Sequence, residues 1–269
     1  MAKTIRKRFN FQNFEKQLSS SVPCVRVNEQ LITAQEVLAK NPDFTLSPVE
    51  NILIYQGRGK PKYLEEFKEN KIFFMKMATK YVIDRLDIEP LKGIAIYSDV
   101  PNNIYLDLLV RFSKTTKVDY IVNHLQTYLE TRKAIEENGF TGISIYNASF
   151  ASIITCVSRP VNTFICLPKS TTFDLLRSTP DYFLRIKQEK LDEIIKEEME
   201  SLEASAKVVE IGGRLVYMIP TICKKESSNL IGNFLTNHPN FELVEEKQFF
   251  PFESFDSCLY YAILKRRGE

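Results

Sequence analysis

The sequence predicts an α/β protein built on a doubly wound, mostly parallel sheet of seven strands. From Gly93 onwards, short apolar runs alternate with amphipathic segments of helical period. This is the pattern of strands that are joined by right-handed helical crossovers. The chain has 269 residues, of which 44% are hydrophobic and 26% are charged. That size and composition fit one large domain with a small additional unit.

Residues 1–70 are predicted to form the small unit, which has mixed α+β character. An amphipathic helix is expected over Phe9–Leu18. It is followed by strand Cys24–Asn28, helix Thr33–Ala39 and strand Val49–Tyr55. A glycine-rich basic turn, Gly57–Pro61, ends the last strand. We place the domain boundary after residue 70.

Residues 71–269 carry the alternating pattern of the large domain. The predicted central strands are Gly93–Tyr97, Val118–Val122, Gly142–Tyr146, Asn162–Leu167 and Gly213–Ile219. The predicted helices are Met75–Leu86, Asn103–Phe112, Leu125–Glu137, Leu184–Ala206 and Asn229–Asn237. Two last strands, Glu242–Gln248 and Cys258–Leu264, are expected to close the sheet as an antiparallel hairpin.

The segment Val208–Ile222 receives a more specific prediction. Its sequence, VVEIGGRLVYMIPTI, indicates the end of a helix, a break at Gly212 and Gly213, and then an apolar strand from Arg214 to Ile219.

Charge, cysteine and histidine content narrow the class of protein. A net charge of +2 does not by itself indicate nucleic-acid binding. The five cysteines have no CxxC spacing and there are only two histidines, so we expect no metal site and mostly buried, reduced thiols. The longest apolar runs are far shorter than the roughly 20 residues that span a bilayer, so we expect no membrane association.

The first residues are basic and leave three interpretations open. Lys3, Arg6, Lys7 and Arg8 fit a solvated helix, a phosphate-contacting arm or a mitochondrial presequence. We expect a cytoplasmic protein, with a mitochondrial location as the alternative.

Four segments carry a resemblance to a known family. They are Val25–Asn28, Glu66–Ile72, Ile211–Tyr217 and Phe234–Val244. In this order and at this spacing, the chain resembles the RNA (cytosine-5) methyltransferases of the Nop/Sun type, also called the Sun or NOL family. The resemblance spans nearly the whole chain. It implies a class I, Rossmann-like methyltransferase fold, an N-terminal unit of RNA-recognition type, an RNA substrate and S-adenosylmethionine as the cofactor.

The positions that would hold this cofactor are degenerate. The resemblance places an acid, then a proline-glycine-glycine-lysine turn, where this chain has Ile96, Pro101, Asn102, Asn103 and Ile104. Two later acids, at the ends of the second and third core strands, are replaced by Asn123 and Asn147. An amide does not reproduce a carboxylate that clamps a ribose diol. We therefore expect no cofactor, or S-adenosylmethionine if the protein is active.

The catalytic positions are degenerate as well. The family adds a cysteine thiolate to the cytosine ring, and a loop aspartate acts on the base. The resemblance places Cys166 at the loop aspartate, Lys169 at the loop cysteine and Pro220 at the nucleophile. Cys166 or Cys223 could stand in for the nucleophile, but a small buried thiol is the alternative use of both.

Seven polar residues are candidates for contact with RNA: Arg26, Asn28, Arg58, Lys60, Lys62, Lys71 and Lys169. The aromatic residues Tyr63, Phe67, Phe73 and Phe74 are interleaved with them and would stack on bases if exposed, or else pack in the core.

Three functions remain open at this stage. The first is a catalytically inactive methyltransferase-like protein that binds RNA or acts as a scaffolding subunit in rRNA or tRNA modification or ribosome assembly. Its partners would be RNA and an active methyltransferase or a ribosomal subunit. The second is a divergent, active S-adenosylmethionine-dependent RNA cytosine-5 methyltransferase. The third is a protein-interaction platform without RNA binding.

Overall fold

Two β-sheets organise the chain in the computed structural model, which describes residues 22–112, 117–137, 140–171, 187–250, 255 and 258–268. The predicted helix Phe9–Leu18, the basic residues before it and the start of the predicted helix Leu184–Ala206 lie outside these ranges. Among the described residues, no helix has the combined length and apolar character needed to cross a membrane.

The first sheet has four antiparallel strands in the order β2-β3-β1-β4. These strands are β1 (Cys24–Val27), β2 (Phe44–Leu46), β3 (Ile52–Tyr55) and β4 (Ile72–Phe74). Strand β2 was not predicted, because it is only three residues long and only Phe44 in it is buried. Pairing of β4 with β1 extends this sheet to Phe74, past the predicted boundary at residue 70. The division of the chain into two units remains a proposal.

Two short helices accompany this sheet, α1 (Ala34–Lys40) and α2 (Glu65–Lys68). Helix α1 begins at a capping box, in which the Thr33 side chain accepts from the backbone N–H of Glu36 and the Glu36 carboxylate accepts from the backbone N–H of Thr33. A three-residue 3-10 turn, Pro61–Tyr63, precedes α2.

The second sheet has seven strands in the order β10-β11-β9-β8-β5-β6-β7. They are β5 (Ile94–Ser98), β6 (Val118–Val122), β7 (Ile143–Asn147), β8 (Val161–Leu167), β9 (Val209–Ile219), β10 (Phe241–Phe249) and β11 (Leu259–Arg266). Strands β5 to β9 pair in parallel, and β11 runs antiparallel to both of its neighbours. The predicted α/β class, the seven strands and the closing hairpin are confirmed.

In the described part of the chain, helices cover both faces of this sheet. They are α3 (Met77–Asp84), α4 (Ile104–Phe112), α5 (Leu125–Glu137), α6 (Ile153–Cys156), α7 (Gln188–Ala206) and α8 (Ser228–Asn237). Helices α3, α4 and α5 share a core with residues of the small sheet such as Ile52 and Phe73. Helices α6, α7 and α8 contribute to a separate core on the opposite face. The small unit therefore packs on the α3–α4 side of the large sheet.

The glycine pair does not separate a helix from a strand, and that prediction is wrong. Helix α7 ends at Ala206, and β9 continues through Gly212 and Gly213 as a bulge. Gly212 has a φ of 84°, which glycine adopts without the strain that other residues incur. A Cβ on Gly213 would lie 2.8 Å from the carbonyl oxygen of Asn162 on β8. Both glycines thus serve the bulge and the close approach of the two strands.

A buried ion network joins the small unit to α4. The Nε atom of Arg26 donates to Oδ1 of Asp107 at 2.6 Å, and its Nη2 atom donates to Glu29 at 2.7 Å. The Nε atom of Arg111 lies 3.0 Å from the second Asp107 oxygen. Arg26 is 1% exposed and Asp107 is fully buried. This corrects the expectation that Arg26 contacts RNA, because its guanidinium is committed to the interior.

Asn28 is an interior residue too. Its side-chain Nδ2 donates to the carbonyl oxygen of Asn70 at 3.2 Å, and its Oδ1 accepts from the backbone N–H of Gln30. Asn28 therefore shapes the end of β1 and is not available to a nucleic acid.

Candidate functional site

The ends of β5, β6, β8 and β9 meet at one edge of the large sheet. Strand β5 pairs with β6, the next strand of this sheet along the chain, on one side and with β8 on the other side. Such a reversal of strand order opens a crevice at the carboxyl ends of the strands, and ligands bind there in open α/β sheets. Several positions at which the resemblance implies cofactor or catalytic residues lie at this edge, among them Pro101, Asn123, Asn147 and Pro220.

Asp99, immediately after β5, ties three strand ends together. Its Oδ1 atom accepts a hydrogen bond from the Tyr97 hydroxyl at 2.7 Å and from the Asn123 Nδ2 atom at 2.8 Å. Its Oδ2 atom accepts from the backbone N–H of Lys169 at 3.0 Å. The carboxylate therefore bridges the ends of β5, β6 and β8 with bonds that stay within the chain. The sequence prediction gave Asp99 no role.

The turn before α4 is filled by an amide. The Nδ2 atom of Asn102 donates to Ser98 Oγ at 2.9 Å and to the Tyr120 hydroxyl at 3.1 Å. Its Oδ1 atom accepts from the backbone N–H of Ile104 at 3.1 Å. Asn102 thus satisfies the backbone N–H of the first residue of α4, one of the groups that an uncapped helix start leaves free for an anion.

The neighbouring positions have taken structural roles. The Asn103 side chain donates to the carbonyl oxygen of Phe74 at 2.8 Å, which connects the turn to β4 of the small sheet. Ile96 and Ile104 are fully buried in the core shared with α3 and α4. Pro101 and Asn147 are exposed at the edge.

The two candidate nucleophiles are poorly suited to form thiolates. Cys166 is fully buried, and burial raises the pKa of its thiol to about 12. Cys223 is partly buried, and burial together with the Glu226 carboxylate raises the pKa of its thiol. Pro220 lies directly after β9, where the resemblance places the nucleophile. Because the thiolate is the reactive form, neither cysteine is activated.

A pair of buried carboxyl groups lies behind this edge, and the sequence prediction missed it. The Glu226 carboxylate accepts from the backbone N–H and hydroxyl of Thr171 at 2.8 and 2.7 Å and from the Thr221 hydroxyl at 2.7 Å. Glu198 on α7 is also fully buried, and its carboxyl group lies against that of Glu226. Burial and then the Glu226 carboxylate raise the pKa of Glu198 to about 11.

A sequence signal for Glu198 existed. It stands four residues after Ile194 and four before Leu202, in the buried stripe of α7. A charged residue on the apolar face of an amphipathic helix marks a buried ionisable group. In the described part of the chain, no group of three or more His, Cys, Asp or Glu residues is arranged to hold a metal ion.

The remaining RNA candidates divide into exposed and paired residues. Arg58, Lys60, Lys62 and Lys169 are exposed. Lys71 is half-buried, and its Nζ atom lies 2.5 Å from the Glu69 carboxylate. The structure thus brings three of the exposed cations together in one turn, residues 57–63, and places the fourth at the edge of the large sheet.

The aromatic candidates divide in the same way. Tyr63 is 65% exposed and Phe74 is 38% exposed, while Phe73 is buried. Phe67 is half-buried, and its ring centroid lies 4.8 Å from that of Phe74. Core packing therefore applies to Phe73, whereas Tyr63 and Phe74 present ring surface to solvent.

Comparison with solved structures identifies the architecture. PH0851 superposes with a TM-score of 0.83 at 20% identity, over 94% of this chain and 62% of that one. NSun6 from Pyrococcus horikoshii, with SFG, gives 0.84 at 10% identity, over 96% of this chain and 94% of that one. The fold is the class I methyltransferase fold.

A methyltransferase homolog protein from Pyrococcus horikoshii has the same fold, with a TM-score of 0.77 at 15% identity, over 95% of this chain and 90% of that one. The chain spans less than two thirds of the length of PH0851. No family model matches the sequence, and no curated protein matches it. The methyltransferase fold is thus established by structure, at identities too low to transfer a reaction or a substrate.

Proposed function

We propose that this chain is an RNA-binding protein that uses the methyltransferase fold without cytosine-5 methyl transfer. The observation that carries the proposal is Pro220, which stands where the resemblance requires a nucleophilic cysteine. A proline side chain has no nucleophilic atom. Cys166 and Cys223 do not replace it, because both thiols have raised pKa values.

We also propose that the edge does not hold S-adenosylmethionine as the resemblance implies. The Asp99 carboxylate is bonded to Asn123 across the strand ends, and Asn102 occupies the turn that should approach the cofactor. Asn123 offers an amide, already bonded to Asp99, where a carboxylate would clamp the ribose. The side chains that would contact the cofactor are therefore bonded to other residues of the chain.

The distribution of charge supports RNA binding by the small unit. Arg58, Lys60 and Lys62 lie exposed in one turn of that unit. Helix α7, on the opposite face of the large sheet, is strongly acidic, with Glu189, Asp192, Glu193, Glu197, Glu200 and Glu203. Phosphates are attracted to the first surface and repelled by the second. The small unit would thus bind RNA, and the large domain would contact an active methyltransferase or a ribosomal subunit during rRNA or tRNA modification or ribosome assembly.

The competing proposal is an active, divergent S-adenosylmethionine-dependent RNA methyltransferase. Its support is the likeness to NSun6, whose structure contains SFG and covers 96% of this chain. The two proposals differ in whether the cofactor binds at all, independently of which RNA is recognised.

Fluorescence anisotropy with labelled tRNA and rRNA fragments over a range of salt concentrations tests RNA binding. We expect the logarithm of the binding constant to fall linearly with the logarithm of the salt concentration, because phosphate contacts release counterions. Lack of binding, or binding that is independent of salt, would favour the protein-interaction platform instead.

A further inference from the structure

We propose that the turn at residues 57–63 and the end of β4 form a stacking platform for single-stranded RNA, with Tyr63 as its principal base contact. This inference rests on the proposed RNA-binding function and names the form of RNA that the surface fits.

Tyr63 has the properties of a stacking residue. Its side chain is 65% exposed, although it ends a 3-10 turn that is anchored by the buried Pro61. The Lys62 Nζ atom lies over the Tyr63 ring, 5.2 Å from its centre, so a positive charge stands next to the ring. A base that stacks on an exposed ring next to a cation gains both an aromatic and an electrostatic contact.

The cations of the turn are available for phosphates. Arg58, Lys60 and Lys62 are exposed, and no described carboxylate lies within ion-pair distance of any of them. Lys71 differs, because Glu69 already neutralises it. Three exposed cations thus stand within five residues of the chain, where each can contact a phosphate.

Phe74 extends the platform towards the large domain. It ends β4, an edge strand of the small sheet, and its ring contacts the ring of Phe67 on α2, the helix that directly follows Tyr63. The Phe74 carbonyl oxygen accepts the Asn103 hydrogen bond at 2.8 Å. The second exposed ring is therefore fixed beside the turn that follows β5. A strand held on both rings would lie between the basic turn and the degenerate edge.

Single-stranded RNA fits this surface better than a duplex or a protein partner. Exposed rings bind base faces, and a duplex hides those faces within its own stack. A protein partner would call for a contiguous apolar patch, whereas here the exposed Tyr63 ring has the Lys62 ammonium over it and stands in a turn that also carries Arg58 and Lys60. Stacking accepts any base, so the platform would select for unpaired structure more than for sequence.

The experiment is fluorescence anisotropy of the full chain with a labelled short single-stranded RNA and with a hairpin duplex of the same composition. We expect tighter binding of the single strand. Tyr63→Ala is expected to weaken that binding by about 5- to 150-fold, the range for the loss of one base stack. Tyr63→Phe keeps the ring and is expected to bind as the unchanged chain does.

Charge variants separate phosphate contacts from stacking. Lys60→Ala is expected to reduce the slope of log binding constant against log salt by about 0.7 for a single strand. Lys196 lies on the solvent side of α7, at the opposite face of the large sheet. Lys196→Ala removes the same charge and is expected to leave RNA binding unchanged. Circular dichroism of each variant confirms that it is folded.

The possible results test RNA binding and the stacking platform separately. If the unchanged chain binds no RNA, the proposed function fails and the platform fails with it. If it binds RNA but Tyr63→Ala binds equally well, or if the duplex binds as tightly as the single strand, only the platform is overturned. A defect in Tyr63→Ala that Tyr63→Phe does not show, limited to single strands, supports it.

Discussion

Replacing Glu198 with glutamine should stabilise the protein, and the gain should grow with pH. Glu198 is fully buried on α7, where its carboxyl group lies against that of Glu226. Burial and the Glu226 carboxylate raise its pKa from 4.5 to about 11. Because the folded pKa lies above the unfolded one, folding takes up a proton between these two values. Stability therefore falls as the pH rises through that window.

The magnitude follows from this proton uptake. Each pH unit above the unfolded pKa costs about 1.4 kcal/mol of unfolding free energy, so the penalty at pH 7 is about 3 kcal/mol. Glutamine has nearly the same volume and needs no proton. Glu198→Gln is therefore expected to raise the free energy of unfolding by up to about 3 kcal/mol at pH 7, and by more at pH 8 than at pH 6.

Urea unfolding at pH 6, 7 and 8 measures this effect. The matched control is Glu197→Gln, one residue earlier on the same helix and partly exposed. It is expected to change stability by less than about 0.5 kcal/mol. A Glu198→Gln variant that is less stable than the unchanged chain, or whose gain is the same at all three pH values, would refute the reasoning.

Three further predictions concern the fold and its thiols. Gly213→Ala should lower the free energy of unfolding by about 2 kcal/mol or more, because its Cβ would press on the carbonyl oxygen of Asn162 on β8. Gly232 lies in open space on α8, so Gly232→Ala should raise the free energy of unfolding by about 0.5–1 kcal/mol. Thermal unfolding compares the two variants. Arg26→Met should lower the free energy of unfolding by up to about 3–5 kcal/mol in urea unfolding, and adding Asp107→Leu should recover part of it, because the single change removes one of the two cations paired with the buried Asp107. Cys166 should react with a thiol reagent only after unfolding, because it is fully buried and its thiol has a pKa of about 12; reaction in the folded state at pH 8 would contradict this.

The architecture was predictable because it depends on local period. Strands such as Val118–Val122 and helices such as Leu125–Glu137 lie where the alternation of apolar runs predicts them. Strand β2 was not predicted, because three residues are too few to show the alternation of a strand. The glycine pair was misplaced because a bulge and a helix–strand break give the same local signal, and only the register against β8 separates them.

The site was less predictable because its contacts join distant parts of the chain. Arg26 looks like a surface cation until Asp107, 81 residues later, is brought against it. Asp99 gains its role from Asn123 and from the backbone of Lys169, which only the parallel pairing of β5 with β6 and β8 brings near. The sequence shows which residue types stand at these positions, and tertiary packing decides which contacts they make.

Calorimetric titration of the full chain with S-adenosylmethionine tests the central claim most directly, because it does not require the RNA to be known. The contacts of Asp99 and Asn102 predict no saturable binding. A complex with a micromolar dissociation constant would contradict the account and would favour an active methyltransferase.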